Sequence, residues 1–442
     1  MYTFHHLHDQ YGPYLRVSPT TILVADLDSV KKIHSPHDIF KKGSWYGGAL
    51  KSENLLTIKD PQKYKHHRRA FGTAFSNSNL GLLEPMVRRK TEFCFKRVAK
   101  RLEDGEVVDI KPWFYYLAAD IIGELCFGKD FGALDNETEN PLVRDCINLA
   151  IVAGTKGKIP FSKYLNWILS FIPHPTIQWF CECEDRLLDH GAKALKGIRR
   201  EIRDCRDKKP RPSLFVALLD HIDNPSAKYK LNMIELQQES TIIIVAGTDT
   251  VTVTGTYLTW VLLRNPEIRQ KLIDELETVG WIQGDSGDDI TDELLQGLPY
   301  LKCLLQEVLR LYAPVQIGLP RVVPNNGRLL GPYFIPEGIE CMTQPYTLHR
   351  DPKLFDEPFA FKPERWLNAT KEMESAIMSF GAGSRVCPGQ HLAMMELRLM
   401  AAMMLKYCGD AKLADSCTDE SMEIVEKFLN YPKGNKCELQ RD

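Results

Sequence analysis

A mainly α-helical fold with small β-sheets is what the 442-residue sequence predicts. Three observations carry this. From about residue 61 to residue 270 apolar positions recur mostly at helical spacing, with few runs of two-residue alternation. Strand signals, β-branched residues punctuated by Gly and Pro, are confined to Tyr14–Ala25, Arg321–Arg328 and Tyr333–Gln344. The regular strand–helix alternation of a parallel α/β sheet is missing.

In chain order, residues 2–11 read as a helix, and Tyr14–Ala25 as a strand pair broken at Ser18-Pro19-Thr20. Asp28 is expected to cap a short helix through His34, and Lys41–Asp60 reads as irregular. A basic helix starts at Asp60-Pro61-Gln62-Lys63-Tyr64. The run Glu235–Arg264 predicts one helix of about 45 Å, long enough to cross the core. Near its middle, Ala246-Gly247-Thr248-Asp249-Thr250 is expected to loosen and widen it. Gly is a poor helix former, and Thr hydroxyls compete for helical carbonyls. Asp204–Pro212 and Gln283–Asp292 read as surface loops; no repeats are present.

A net charge of −2 gives no reason to expect a nucleic-acid partner. The twelve cysteines are scattered, form no C-x-x-C pair and lie mostly in apolar runs, so reduced thiols are expected. The opening residues, with Pro13 and Pro19, do not read as a secretory leader. No window of about 18 to 20 residues is apolar enough to span a bilayer. The nearest, Ile242–Leu263, is interrupted by Asp249 and several threonines.

The chemistry concentrates at Phe380-Gly381-Ala382-Gly383-Ser384-Arg385-Val386-Cys387-Pro388-Gly389. Three glycines let this loop turn sharply and approach a flat object closely. Pro388 suits the first turn of a following helix, which places Cys387 just ahead of a helix N-terminus. There the dipole and free N–H groups are expected to favour a thiolate, the metal-binding form. A buried free cysteine is the plainer alternative. Phe380, Gly383, Arg385, Cys387 and Gly389 fit F-x-x-G-x-R-x-C-x-G, which resembles the haem-binding loop of the cytochrome P450 monooxygenases. That resemblance implies that Cys387 is the axial ligand of a haem b iron.

Three further motifs extend the resemblance from Tyr2 to about Leu429. Ala246–Thr250 is similar to the family's distal-helix pattern. It implies that Ala246 and Gly247 leave room for dioxygen, Thr250 hydrogen-bonds the oxygen being reduced and Asp249 relays protons. Glu307 and Arg310, an E-x-x-R on one helix face, pair by resemblance with Arg365 of Pro363-Glu364-Arg365-Trp366, which has Trp for the usual Phe. Those three would form a buried structural network. Arg68, Arg321 and Arg385 match the arginines that hold the haem propionates, a role suited to bidentate guanidinium pairing.

The resemblance implies a monooxygenase in a single catalytic domain, residues 1–442. It would use O2 and two electrons from a separate NADPH–cytochrome P450 reductase, with cytochrome b5 as a further donor. The substrate would be a lipophilic small molecule and the enzyme a monomer. Trp45, Tyr46, Ile242, Val245, Val315, Ile317 and Phe428 are the expected pocket residues. Tyr11–Pro19 resembles filamentous-fungal members that tailor secondary metabolites. Relatives of that kind sit on the cytosolic face of the endoplasmic reticulum behind an N-terminal anchor. The chain is read as lacking that anchor, with Phe161–Phe180 as a peripheral membrane contact. Two other readings compete. A haem-thiolate isomerase or dehydratase would not need Asp249-Thr250, and a non-catalytic haem sensor would need an output domain.

Overall fold

Helix Met233–Arg264 runs through the middle of the molecule, 32 residues and about 48 Å long. It begins with a capping box, in which the Asn232 side chain accepts from Glu235 N–H and the Glu235 carboxylate accepts from Asn232 N–H. Apolar residues on all sides require burial on all sides. It packs against Ile110–Phe127, Pro141–Lys156, Pro175–Asp204 and Gln390–Cys408. By length and hydropathy it is the single membrane-spanning candidate among the described residues, yet it is mostly buried within the protein.

This computed structural model describes residues 1–37, 40–75, 77–138, 141–157, 167–169, 171–204, 213–223, 230–281 and 290–441. The expected loops lie outside the described residues apart from Asp204 and 290–292, as do Phe161 and Leu165 of the apolar tract.

The expected widening of the central helix is not found: Met233–Arg264 is continuous α-helix. The hydroxyls of Thr248, Thr250, Thr252, Thr254 and Thr256 donate to the carbonyls of Ile244, Ala246, Thr248, Thr250 and Thr252, four residues back. They add bonds to carbonyls already in the helical ladder, which keeps its own.

The main sheet has five strands in the order Tyr14–Ser18, Thr21–Val24, Glu340–Thr343, Arg321–Val322, Lys41–Lys42. Thr21–Val24 and Glu340–Thr343 run parallel, and the other pairs are antiparallel. Hairpins join Arg328–Leu330 to Tyr333–Ile335 and Ile424–Lys427 to Leu429–Pro432. Val108–Asp109, Glu438–Gln440 and Lys412–Leu413 form a small three-stranded sheet. Two readings need correction. The helix Leu27–Ile33 is capped by Asp26, whose carboxylate accepts from Ser29 N–H, so Asp28 sits within its first turn. Lys41–Asp60 contains a strand, Lys41–Lys42, and a helix, Trp45–Ala49.

Helix Pro299–Tyr312 carries the E-x-x-R pair, and both side chains are fully buried. Glu307 accepts from Arg310 Nε and an Arg310 terminal nitrogen (2.8 and 2.7 Å), Arg365 Nε (3.1 Å), Lys362 N–H (2.9 Å) and Trp366 Nε1 (2.9 Å). The Trp that replaces the usual Phe thus adds a donor. Arg310 also donates to the carbonyls of His349, Pro358 and Ala360. Removing the carboxylate leaves a buried guanidinium uncompensated. Glu307→Ala should therefore lose about 3–5 kcal/mol in urea unfolding, whereas an unchanged midpoint would show that the network carries no strain when broken.

Candidate active site

The cysteine loop hangs from that network. His349 Nδ1 bonds the Arg310 carbonyl (2.9 Å), so it carries the proton, and Nε2 accepts from Met378 N–H (2.9 Å). Ser379 Oγ donates to the Leu309 carbonyl (2.7 Å). Across the loop, Cys387 N–H donates to the Phe380 carbonyl (2.8 Å). Gly383 has φ +64°, and a Cβ there would lie 1.8 Å from the His34 carbonyl oxygen, so only glycine fits. Helix Gln390–Cys408 begins after Gly389, and Pro388 lies in the preceding turn, outside the first helical turn where it was expected.

Cys387 is half-buried, and burial raises its thiol pKa. The Gly389 N–H bond and the Arg68 charge pull the other way without prevailing. In the free thiol burial thus outweighs the local donors, and a bound cation would favour the thiolate here.

Beside it is a group of cations. Arg321 is buried and donates to Tyr46 Oη (2.5 Å) and the Pro320 carbonyl (3.2 Å). Arg385 lies over the Tyr64 ring at 3.5 Å and reaches the Ile58 carbonyl (3.5 Å). Lys42, which the sequence reading missed, is buried and donates to the carbonyls of Leu55 and Leu56. Burial, then Arg385 and Arg321, lower the Lys42 pKa well below the usual range. Tyr64 feels Arg68, Arg385, Arg321 and Cys387 together, which puts all four in one neighbourhood. Lys42, Arg321 and Arg385 form no ion pair with a described carboxylate. A thiol with neighbouring buried cations that lack carboxylate partners fits a dianionic haem.

On the central helix Ala246 is exposed and Thr250 half-buried, although Val245, Thr248, Asp249 and Val251 are buried, so this face looks onto open space. Gly247 serves packing: a Cβ would lie 2.4 Å from Ile122 Cδ1, so its small size admits helix Ile110–Phe127. Asp249 is fully buried one position round. Its oxygens accept from Tyr115 Oη (2.5 Å) and Tyr431 Oη (2.8 Å). Burial raises its carboxyl pKa, opposed by the two phenols and Lys111.

The expected pocket residues separate into groups. Trp45 stacks on Phe428 with centroids 5.2 Å apart, and Gly154 and Gly157 make room for these rings. Ile242 and Val245 are buried on the central helix, while Val315 and Ile317 are half-buried after helix Pro299–Tyr312. Tyr46 packs edge-on against Trp45, with centroids 5.1 Å apart, and its hydroxyl also accepts from Arg321, so it joins the aromatic group to the cations.

A buried Glu–Arg–Arg network beneath a cysteine loop, with an acid–threonine pair on a long central helix, is the arrangement of a haem-thiolate enzyme. The family described as Cytochrome P450 matches residues 1–438, and the chain belongs to it. It is 33% identical to the cytochrome P450 monooxygenase tazI of Aspergillus terreus, over 98% of this chain and 86% of that protein. It is 30% identical to the cytochrome P450 monooxygenase aflV of Aspergillus parasiticus, over 100% of this chain and 86% of that one. In fold it resembles a retinoic-acid-bound cyanobacterial CYP120A1, with TM-score 0.77 and 20% identity over 98% of this chain and 92% of that one. The protein is a cytochrome P450 monooxygenase that uses haem b and dioxygen.

Burial and then Arg350 push the His349 pKa down to about 3, so the folded protein keeps this imidazole neutral. Unfolded, it takes up a proton below about 6.5. Its contribution to stability is therefore complete above that value and declines between pH 6.5 and 3, by about 1.4 kcal/mol per unit. His349→Gln should show an acid-side slope shallower by one proton when urea stability is measured from pH 7.5 to 5. An identical slope would exclude His349 as the source.

Proposed function

We propose that Cys387 ligates the haem iron and that Arg68, Arg321, Arg385 and Lys42 hold the propionates. The observation carrying this is the half-buried thiol beside buried cations that have no described carboxylate partner. Bound there, haem supplies oxygen activation, inserting one oxygen atom of O2 into a C–H bond while the other leaves as water. The protein provides the ligand, the proton path and the pocket. In this reading Thr250 presents its hydroxyl to the open face, and Asp249 is the acid that passes protons to it. Phe380, Gly383 and Gly389 shape the loop, and Ala246 leaves space above the haem. The acid–threonine pair favours the monooxygenase over an isomerase or dehydratase.

The substrate is a lipophilic small molecule, an intermediate of secondary metabolism. The aromatic wall of Trp45 and Phe428 and the aliphatic Ile242 and Val245 support an apolar guest, and the Aspergillus relatives support the metabolic setting. The electrons come from a membrane-bound NADPH–cytochrome P450 reductase. Contact with the endoplasmic reticulum is through Trp167, Ile168, Phe171 and Ile172, which are all exposed.

The test is the absorption spectrum of the reduced, carbon-monoxide-bound protein beside Cys387→Ser. The parent should give a red-shifted Soret band, and the variant should lose it. An identical thiolate-type band in the variant would remove Cys387 as the ligand.

A further inference from the structure

A cavity of about 410 Å³ lies between helices Ile110–Phe127 and Pro141–Lys156 and the C-terminal hairpin. Its walls include Lys111, Tyr115, Val143, Ile147, Tyr431 and Asn435, and Asp249 does not reach it. Tyr115 and Tyr431 line this cavity and also donate their hydroxyls to the two oxygens of Asp249. Each phenol therefore connects the cavity to the buried carboxylate. Lys111 Nζ stands over both rings, 5.5 and 5.2 Å from their centroids, and is held by Asn435 Oδ1 at 2.7 Å. A space of this size with an ammonium, an amide and two phenols in its walls is suited to ordered water.

We propose that this cavity is the enzyme's proton-entry port, and that Tyr115 and Tyr431 pass protons from its water to Asp249. The proposal rests on the reading of Asp249 as the acid that serves Thr250. When Asp249 has released a proton it is a carboxylate. A phenol then gives its O–H proton to that carboxylate while taking one from a hydronium ion that has entered the cavity from solvent and is left there as neutral water. The phenol is neutral before and after, and one proton has crossed. Burial and the Asp249 charge hold both phenols far from ionisation, so the two transfers are concerted. The groups facing Asp249 are Tyr115 and Lys111 from one helix, Tyr431 from the C-terminal hairpin and Cys146 from helix Pro141–Lys156. Asp109 and Lys427 flank Lys111 at the cavity.

The test uses haem-loaded protein with a reductase and NADPH, without substrate. The readouts are the rate of water formation, the hydrogen peroxide released per NADPH and the solvent deuterium isotope effect. Tyr115→Phe/Tyr431→Phe should slow water formation about tenfold or more, raise peroxide and change the isotope effect. Ile147→Trp, which fills the cavity without touching the hydrogen bonds to Asp249, should act in the same direction. An intact carbon-monoxide band checks that each variant is folded. Independently of turnover, infrared titration of the Asp249 carboxyl should show its protonation midpoint moving up with each phenol removed, because each phenol stabilises the carboxylate. If Asp249→Asn impairs water formation while the double variant and Ile147→Trp do not, the port is overturned and the acid survives. If Asp249→Asn changes neither rate nor isotope effect, the acid reading falls and takes the port with it.

Discussion

The buried carboxylate of Glu307 is the constraint on which the rest of the site depends. It gathers five hydrogen bonds from Arg310, Lys362, Arg365 and Trp366. Arg310 then binds three backbone carbonyls, and its own carbonyl orients His349. His349 fixes Met378, two residues before the loop that carries Cys387. An ion pair of this kind adds little net stability over an apolar replacement, because both charges must be stripped of water. What it supplies is direction. Each planar group accepts one set of partners, so the helix, the Pro363–Asn368 segment and the loop share a single arrangement.

The central helix divides the chemistry by angle. Successive residues are about 100° apart, so Thr250 reaches the open face while Asp249 enters a separate polar cluster. The polar pentapeptide costs the helix little, because each threonine hydroxyl finds a carbonyl and the carboxylate finds two phenols. A buried acid held between opposing influences exchanges protons more readily than one committed to an ion pair.

Much of this was legible because its signals are local. The cysteine loop, the Ala246–Thr250 pentapeptide and the E-x-x-R pair each lie within ten residues, and their spacing survives without tertiary information. The helix limits at residues 2–11 and the strand pair at Tyr14–Val24 were also set by nearby punctuation. The partners that complete the site were not legible. Lys42, Tyr115, His349 and Tyr431 look ordinary where they stand, and their meaning comes from elements far away in sequence. The C-terminal hairpin escaped notice because its tip is Phe428, at φ +81°, where a Gly or Asn would have announced the turn. The effect of burial on Cys387 was hidden for the same reason: local sequence shows the helix dipole but not the desolvation that outweighs it.

That hairpin has a consequence for how the protein is made. Its tip closes the aromatic wall against Trp45, and its second strand brings Tyr431 to Asp249. Chains emerge N-terminus first, and contacts between distant segments wait for the later one. The cysteine loop and its supporting network can therefore assemble on the ribosome while the pocket still lacks a wall and Asp249 has Tyr115 but not yet Tyr431. A chain stopped just short of Ile424 would have the metal cradle without the chamber that makes it selective.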